Sequence, residues 1–322
     1  MSHLSVTMDA IEEMVSTRLW GAIVQTIAYA DVFDYPLTPA EVHRYLPGVR
    51  ATREAVEQAL HDGGFLSGRQ GYYTLPGRET LVEVRRERER QAARLWAYAL
   101  RYGRAIAALP FVRMVAVTGS LAVDNVGDQP DIDYLIVTAP GRLWMVRAMA
   151  LAVRRLAALQ GVELCPNYLI TQDALAFPDR NLYAAHELAQ MVPLYGAEVY
   201  HQILQANRWK EQFLPNATGL PPVCARLNSH RRDPQPVIRR VLEGALRTAP
   251  GAWFERWEMD RKIRWLTQEQ AGSCESRFAA DYCKGHKHSH GQRTELALRE
   301  RLNRLNAVPV ALEPVWWRLP GE

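Results

Sequence analysis

The sequence predicts an α+β fold in three parts. Helical patterns and two short strands fill the first 77 residues, two apolar strand patterns follow at 112–118 and 131–137, and helical patterns predominate after residue 181. Separate blocks of helices and strands are typical of α+β proteins. The predicted parts are an N-terminal domain (1–77) with a connecting helix (78–109), a central core (110–195) and a helical C-terminal lobe (196–322).

Length and composition indicate a soluble globular chain with a substantial core. It has 322 residues, 48% of them hydrophobic, and no window approaches the ~20 uninterrupted apolar residues of a membrane helix. Its first residues are acidic where a secretory signal has a basic start and an apolar run. Four cysteines in this length do not form a disulfide framework. We therefore expect a cytoplasmic protein with reduced thiols and no membrane partner.

The net charge of +4 is small but unevenly distributed. Basic residues concentrate at 78–104 and at 226–304. Such regions suit an anionic partner, either a nucleic acid or a nucleoside triphosphate. Two solvated helix faces would give the same composition.

The N-terminal domain opens with two helices. Residues 17–31 show helical periodicity. Thr38 is placed to cap a second helix, Pro39 fits its first turn, and Glu41 completes a capping box with Thr38. These signals fix the start of the second helix.

A third helix and a hairpin complete this domain. The third helix covers 51–61 and ends at Gly63 and Gly64. Two short strands follow within 65–75, around a turn that contains glycine. Three helices followed by a hairpin resemble a winged helix-turn-helix domain.

Two roles are open to such a domain. A DNA-binding winged helix would direct Arg53, Glu57 and Gln58 of its third helix into a groove and carry Arg69 at the wing tip. A winged helix can also serve for packing or protein contact. The third helix is not strongly basic and the wing carries a single arginine, which favours the second role.

A charged helix connects this domain to the core. Pro76 and Gly77 mark the boundary, and a pattern rich in Arg and Glu extends over 79–109. Opposite charges lie three and four residues apart, a spacing that supports an exposed helix.

Polar residues lie where one predicted strand of the core ends and where the next one begins. The apolar pattern 112–118 stops at Gly119 and Ser120, and the next strand begins with Asp131 and Asp133. Residues two apart on a strand point to the same face, so these carboxylates repel one another unless a cation lies between them. Mg²⁺ is usually held by one or two carboxylates and substrate phosphates. A glycine followed by a serine lets the backbone approach a phosphate, with N–H and hydroxyl donors available.

These residues resemble the signature of the DNA polymerase beta-like nucleotidyltransferase superfamily. The resemblance is carried by Gly119-Ser120, a short spacer and Asp131-Ile132-Asp133 within apolar flanks. It implies a mixed sheet with flanking helices and two Mg²⁺ (or Mn²⁺) ions at Asp131 and Asp133. It also implies that Ser120 and the backbone around Gly119 hold the triphosphate of an NTP.

The activity implied is transfer of a nucleoside monophosphate from an NTP to an acceptor by a two-metal mechanism. The acceptor can be a nucleic acid, a protein or a small molecule, since specificity resides in loops and lobes rather than in the fold. The alternative is a non-catalytic regulator, whose winged helix binds DNA and whose nucleotidyltransferase fold senses nucleotide.

The superfamily usually adds a third carboxylate from a neighbouring strand. Glu163 has suitable apolar flanks, and we assign it as the third catalytic carboxylate. Alternatively, Pro166 makes 167–170 the true strand, which would put Asn167 where an acid is expected. Asp173 lies at the far end of the segment. With Asn167 in that position the acceptor would lose its base, which would favour the regulator.

The C-terminal lobe is helical by pattern. Helical spacing covers 181–193, 197–210 and 236–266, with a break at 193–196. By resemblance, helices in this position form a substrate-side lobe. The Pro- and Trp-rich end, 307–322, is predicted to pack as an extended tail.

Cysteines and histidines concentrate in one short segment of this lobe. Their spacing fits no paired CxxC arrangement, and Lys284 and Lys287 between them would repel a cation. Three roles remain open: zinc binding, contact of the lysines and Arg293 with the triphosphate or a nucleic acid, or a solvated basic loop. We assign Lys284 and Lys287 to the triphosphate. The cluster comprises Cys274, Cys283, His286, His288 and His290.

Overall fold

Helices and a mixed sheet make up the computed structural model, which confirms the predicted α+β class. No helix in the described part of the chain is long and apolar enough to cross a membrane. Almost all of the predicted C-terminal tail lies outside that part. The structure describes residues 8–127, 130–227, 237–270, 275–285 and 289–307.

The N-terminal domain consists of three helices and an antiparallel hairpin around their own apolar core. As predicted, Thr38 caps the second helix through a capping box with Glu41. The Glu41 carboxylate accepts a hydrogen bond of 2.8 Å from the Thr38 N–H. The elements are α1 (Met8–Asp31), α2 (Pro39–Arg44), α3 (Arg53–Asp62), β1 (Ser67–Arg69) and β2 (Tyr72–Thr74).

The connecting helix, α4 (Leu81–Ala107), is part of the core rather than a free linker. Its apolar stripe, which includes Trp96 and Ile106, packs into the same cluster as the central strands. Near its start, the buried Arg85 lies 2.8 Å from the Glu41 carboxylate. Apart from Arg85, the charged residues lie mainly on the outer side of this helix, while the apolar stripe fixes it to the sheet.

Six strands form one mixed sheet in the order β6-β3-β4-β5-β8-β7. Strands β4 and β5 are parallel, and all the other pairs are antiparallel. The predicted break at 193–196 is mostly an edge strand, where Pro193 is tolerated. Two further strands come from a segment predicted to have none, so the sheet extends beyond 110–195. The strands are β3 (Val112–Thr118), β4 (Asp131–Thr138), β5 (Glu163–Thr171), β6 (Val192–Tyr195), β7 (Arg277–Phe278) and β8 (Tyr282–Lys284).

Helices after β4 complete the architecture. The predicted helix at 236–266 is two helices, because Thr248 and Pro250 provide a new N-terminus in its middle. The helices are α5 (Leu143–Ala158), α6 (Leu182–Gln190), α7 (Ala197–Ala206), α8 (Lys210–Phe213), α9 (Val223–Arg226), α10 (Val237–Leu246), α11 (Ala249–Glu269) and α12 (His290–Arg304).

The two faces of the sheet are covered by different helices. Ile132 and Tyr134 of β4 pack toward α4 and α5, with α11 beside α5. Leu135 and Val137 pack toward α6 and α7. Because side chains alternate along a strand, Asp131 and Asp133 point to the same side as Leu135, toward α6. The N-terminal domain also contacts this side, through α1 against α6 and α12.

Candidate functional site

Strands β3 and β4 bring Gly119, Ser120, Asp131 and Asp133 together. Thr118 pairs with Asp133 in the antiparallel ladder, so the end of β3 adjoins the start of β4. Gly119 has a φ of 66° and leads into a 3₁₀ turn that begins at Ser120. A Cβ atom on Gly119 would overlap Oδ2 of Asp133. Both the conformation and the space at this position therefore require glycine.

The neighbouring strand contributes a thiol that the sequence analysis missed. In the parallel ladder, Asp131 pairs with Glu163 and Asp133 with Cys165. One ligand atom from each of Asp131, Asp133 and Cys165 lies within 4.8 Å of the others, a grouping that could hold a metal ion. The sequence signal was present, because Cys165 is two residues from Glu163 and thus on the same face.

Glu163 and Asn167 lie on the same strand but in different surroundings. The Glu163 side chain is 50% exposed, ion-pairs with Arg154 of α5, and does not line the cavity beside the aspartates. The Asn167 amide donates a hydrogen bond of 3.4 Å to Oδ1 of Asp133. Asn167 lies two residues beyond Cys165 and therefore on the same face of β5, toward the aspartates. Asn167 is thus the residue of this strand that is hydrogen-bonded to Asp133, whereas Glu163 pairs with Asp131 at the start of the ladder.

A cavity of about 460 Å³ lies over the aspartates, between the sheet and the N-terminal domain. The N-terminal domain and α6 supply mostly aromatic and polar walls, and the strands supply the floor. Lining residues include Tyr29, Phe33, Tyr35 and Tyr45 from the N-terminal domain, Gly119, Ser120, Asp131, Asp133, Cys165 and Asn167 from the strands, and Tyr183, His186, Glu187 and Gln190 from α6.

The carboxylates in this cavity are poorly neutralised. Burial, reinforced by the charge of Asp131, raises the pKa of Asp133 to about 7. Burial also raises the pKa values of Asp131 and Glu187. Among the residues that the structure describes, no arginine or lysine lines the cavity. A bound cation would therefore stabilise the ionised forms of Asp131 and Asp133.

Asp133 gives the metal-free protein a specific pH dependence. The ordinary pKa of this carboxyl is 3.8. Between pH 3.8 and about pH 7, the folded chain therefore keeps a proton on Asp133 that the unfolded chain has released. The free energy of unfolding from this group therefore falls as the pH rises through that window. In thermal unfolding without divalent cations, we expect the melting temperature of the wild type to fall from about pH 5 to about pH 8. The melting temperature of Asp133→Asn should fall less over the same pH range. Identical pH profiles of the melting temperature in the two proteins would contradict the raised pKa of Asp133.

Helix α6 contributes a carboxylate and a histidine that the sequence analysis did not single out. Glu187 lines the cavity, and its Oε2 accepts no hydrogen bond. The His186 ring stacks on Tyr29 with ring centroids 4.0 Å apart, and burial lowers its pKa to about 3. A neutral histidine thus fixes α1 against α6. The only local signal was a carboxylate within an otherwise apolar helical segment.

Lys284, which the sequence assigns to the triphosphate, is held in a buried ion pair. Its Nζ lies 3.2 Å from the Asp179 carboxylate and 3.8 Å from that of Glu187, and it does not line the cavity. Lys287 lies outside the described residues. Binding of a triphosphate by Lys284 would require this ion pair to open.

The structure does not bring the described members of the cysteine–histidine cluster together. Cys283 is buried in β8 on the α5 side of the sheet, whereas His290 lines the cavity on the α6 side. Cys274, His286 and His288 lie outside the described residues. Arg293 is exposed on α12.

The residues predicted to contact DNA are exposed but paired. Arg53 lies 2.7 Å from Glu57 within α3, and Gln58 donates a hydrogen bond of 2.6 Å to Asp62. Arg69 at the hairpin lies 3.4 Å from Glu83 of α4. These acidic partners reduce the positive charge offered to a phosphate backbone.

Comparisons with known proteins add no assignment to this geometry. The chain gives no significant match to protein-family models, to curated proteins or to solved structures. The functional interpretation therefore depends on the residues around the cavity.

Variants at Glu163 and Asn167 test the third position directly. Glu163→Gln is expected to leave Mg²⁺ binding within about twofold, because an exposed ion pair contributes little. Asn167→Asp is expected to tighten Mg²⁺ binding, since it adds a carboxylate beside Asp133. Calorimetric titration with Mg²⁺ measures both effects. Loss of binding in Glu163→Gln alone would restore the sequence-based assignment.

Proposed function

We propose that this chain is a metal-dependent nucleotidyltransferase with a polymerase-beta-like core, which transfers a nucleoside monophosphate from an NTP to an acceptor hydroxyl and releases pyrophosphate. The observation that carries the proposal is that Gly119 and Ser120 lie beside Asp131 and Asp133 at the floor of a cavity of about 460 Å³. The acceptor is a nucleic acid, a protein or a small molecule with a hydroxyl group.

Each residue of the floor has a role in this proposal. The backbone N–H groups after Gly119 and the Ser120 hydroxyl donate hydrogen bonds to the triphosphate. Asp131 and Asp133 hold the divalent cation. That cation supplies charge neutralisation at the phosphates and activation of the acceptor hydroxyl. Since the described lining has no lysine or arginine, the triphosphate depends on the cation and on these donors for its binding.

The candidate ligands Asp131, Asp133 and Cys165 suit a divalent cation, but the thiol is unusual for a magnesium site. Two carboxylates match what Mg²⁺ or Mn²⁺ requires. A thiol in the same group favours softer ions such as Zn²⁺. Burial, with the charges of Asp133 and Asp131, raises the pKa of the Cys165 thiol to about 12, so without metal it stays protonated.

Co²⁺ binding tests the part played by Cys165. We expect Co²⁺ to give a thiolate-to-metal charge-transfer band in the wild type, and Cys165→Ser to lose the band while it keeps Mg²⁺ binding. Absorption spectroscopy measures the band, and Cys283→Ser, which changes a buried thiol on the other face, is the control. A band that survives Cys165→Ser would remove Cys165 from the metal site.

Calorimetry with the four NTPs, with and without Mg²⁺, tests the proposed function. Metal-dependent binding of one or more NTPs is expected, and the preferred NTP identifies the base. Incorporation of label from an α-labelled NTP into an acceptor would then demonstrate transfer. Absence of binding for all four NTPs would overturn the proposal.

A second candidate is a non-catalytic, nucleotide-sensing regulator that binds DNA. It is favoured by the position of Asn167, which supplies no base beside Asp133. Salt-sensitive binding of duplex DNA without nucleotide, and nucleotide binding without transfer, would support it. The paired state of Arg53 and Arg69 argues against strong DNA contact.

We further propose that residues 1–77 form a winged helix used for packing rather than for reading DNA. Support comes from the order of three helices and a hairpin, and from the side of the domain that meets the core. Tyr29 and Tyr45 of this domain line the cavity. In this proposal the domain forms one wall of the substrate site.

A further inference from the structure

Helices α10 and α11 turn some acidic side chains toward the core and leave several large apolar side chains exposed. On α10, Glu243 accepts hydrogen bonds of 2.8 Å from the Phe111 N–H and 3.0 Å from Arg113, while Val241 is 65% and Leu242 43% exposed. Helix α10 thus exposes aliphatic side chains while it turns a carboxylate inward, although Leu246 at its end packs against the core.

Helix α11 also combines buried acids with exposed aromatic side chains, although its inner side carries apolar residues that pack against the core, namely Phe254, Met259, Ile263 and Leu266. Glu255 is buried and accepts hydrogen bonds of 2.9 Å from the Trp144 N–H and 2.7 Å from the Met145 N–H, so it caps the start of α5. Glu258 is also buried. Three tryptophans instead lie outside, with exposed fractions of 60% for Trp253, 45% for Trp257 and 50% for Trp265.

The exposed side of α11 combines aromatic and basic groups. Trp253 and Trp257, four residues apart, stack with ring centroids 6.1 Å apart. The Arg261 guanidinium lies 4.9 Å from the Trp257 ring centroid, and the Lys262 ammonium 4.6 Å from that of Trp265. The exposed charged residues of α11 are Arg256, Arg261 and Arg264, with Asp260 and Glu269 as the acids.

This surface is separate from the candidate functional site. Helix α11 packs beside α5, on the face of the sheet opposite the aspartates. Leu156 and Leu159, at the C-terminal end of α5, are also exposed. The exposed apolar residues therefore come from three neighbouring helices.

We propose that the outer face of α10 and α11 binds an anionic membrane surface peripherally. Tryptophan has an apolar body and a polar N–H, and it suits the boundary between headgroups and acyl chains. The exposed Arg256 and Arg264 suit anionic headgroups, whereas Arg261 is already paired with Glu258. Exposed aliphatic residues bury in the outer part of the bilayer. Such contact needs no spanning helix. A single-stranded nucleic acid would use the tryptophans and arginines, but it gives Val241, Leu242 and Leu159 no role.

Vesicle binding by the full chain tests this proposal. Sedimentation with vesicles of phosphatidylcholine and phosphatidylserine is expected to retain the wild type, and added salt should weaken the binding. The double variant Trp253→Ser/Trp257→Ser is expected to bind at least about tenfold more weakly. Leu296→Ser, which changes an exposed residue of α12, should bind like the wild type. Unchanged Mg²⁺ binding and circular dichroism in each variant would establish that the fold is intact.

Several outcomes would overturn the proposal. They are equal binding to vesicles of phosphatidylcholine alone, no binding to either vesicle, or wild-type binding by the double variant. Binding of single-stranded RNA that the double variant loses, without vesicle binding, would assign the surface to nucleic acid. A dimer in solution that the double variant loses, again without vesicle binding, would assign it to self-association.

Discussion

Asp131→Asn and Asp133→Asn are each expected to weaken metal-dependent NTP binding by on the order of a hundredfold or more, equivalent to about 3 kcal/mol. Both carboxylates lie in the group that could hold a metal ion, and no described arginine or lysine in the cavity would compensate for the loss of either. Calorimetry in the presence of Mg²⁺ measures the change. Any transferase activity should fall with the binding.

Asp173→Asn provides a matched control for these variants. Asp173 follows β5, is exposed and does not line the cavity. The Asp173→Asn variant should therefore bind NTP and Mg²⁺ like the wild type. The fold of the aspartate variants should survive, because burial already favours the uncharged form of Asp133. Wild-type binding in either Asp131→Asn or Asp133→Asn would refute the assigned site.

Gly119→Ala is expected to be the most damaging single-methyl change in this site. At φ 66° and ψ −152°, a region essentially confined to glycine, an alanine is strained by about 1–3 kcal/mol, and its Cβ would also overlap the Asp133 carboxylate. Either Asp133 or the turn at Ser120 must then move. We expect the free energy of unfolding to fall by about 2 kcal/mol or more, and metal-dependent NTP binding to be lost.

Gly141→Ala distinguishes backbone strain at positive φ from overlap of the new Cβ atom with Asp133. Gly141 has a φ of 65°, and a Cβ there would meet nothing within 4 Å. This variant should lose only the conformational contribution, about 1–2 kcal/mol in chemical denaturation, and should keep NTP binding. Equal losses of NTP binding in the two variants would show that the space beside Asp133 is not what requires glycine at position 119.

Local sequence patterns were sufficient for several elements. The apolar run of β3, from Val112 to Thr118, needs no distant partner to be identified as a buried strand. The capping box of Thr38 and Glu41 formed as predicted, because its hydrogen bonds join residues three apart. The spacing of Asp131 and Asp133 placed both carboxylates on one face for the same reason.

The third position beside the aspartates depended on register between strands. Sequence favoured Glu163, which does pair with Asp131 along the ladder. Asn167, two residues beyond Cys165, is the one whose amide donates a hydrogen bond to Asp133. Alternation places Glu163, Cys165 and Asn167 on one face, but the alignment of β5 along β4 decides which of them lies beside Asp133, and no local pattern reports that alignment.

Contacts between distant segments decided the remaining features. Glu187 reaches the cavity through the packing of α6, and Lys284 is paired because β8 joins the sheet beside β5. The outward tryptophans of α11 were invisible to periodicity, since an apolar stripe is normally assigned to the core. Sequence by itself determined the α+β class, strands β3 and β4 and the paired aspartates, because these follow from contacts within a few residues. Only the tertiary structure decided the neighbours of those aspartates and the exposed faces, because both depend on how far-separated segments pack.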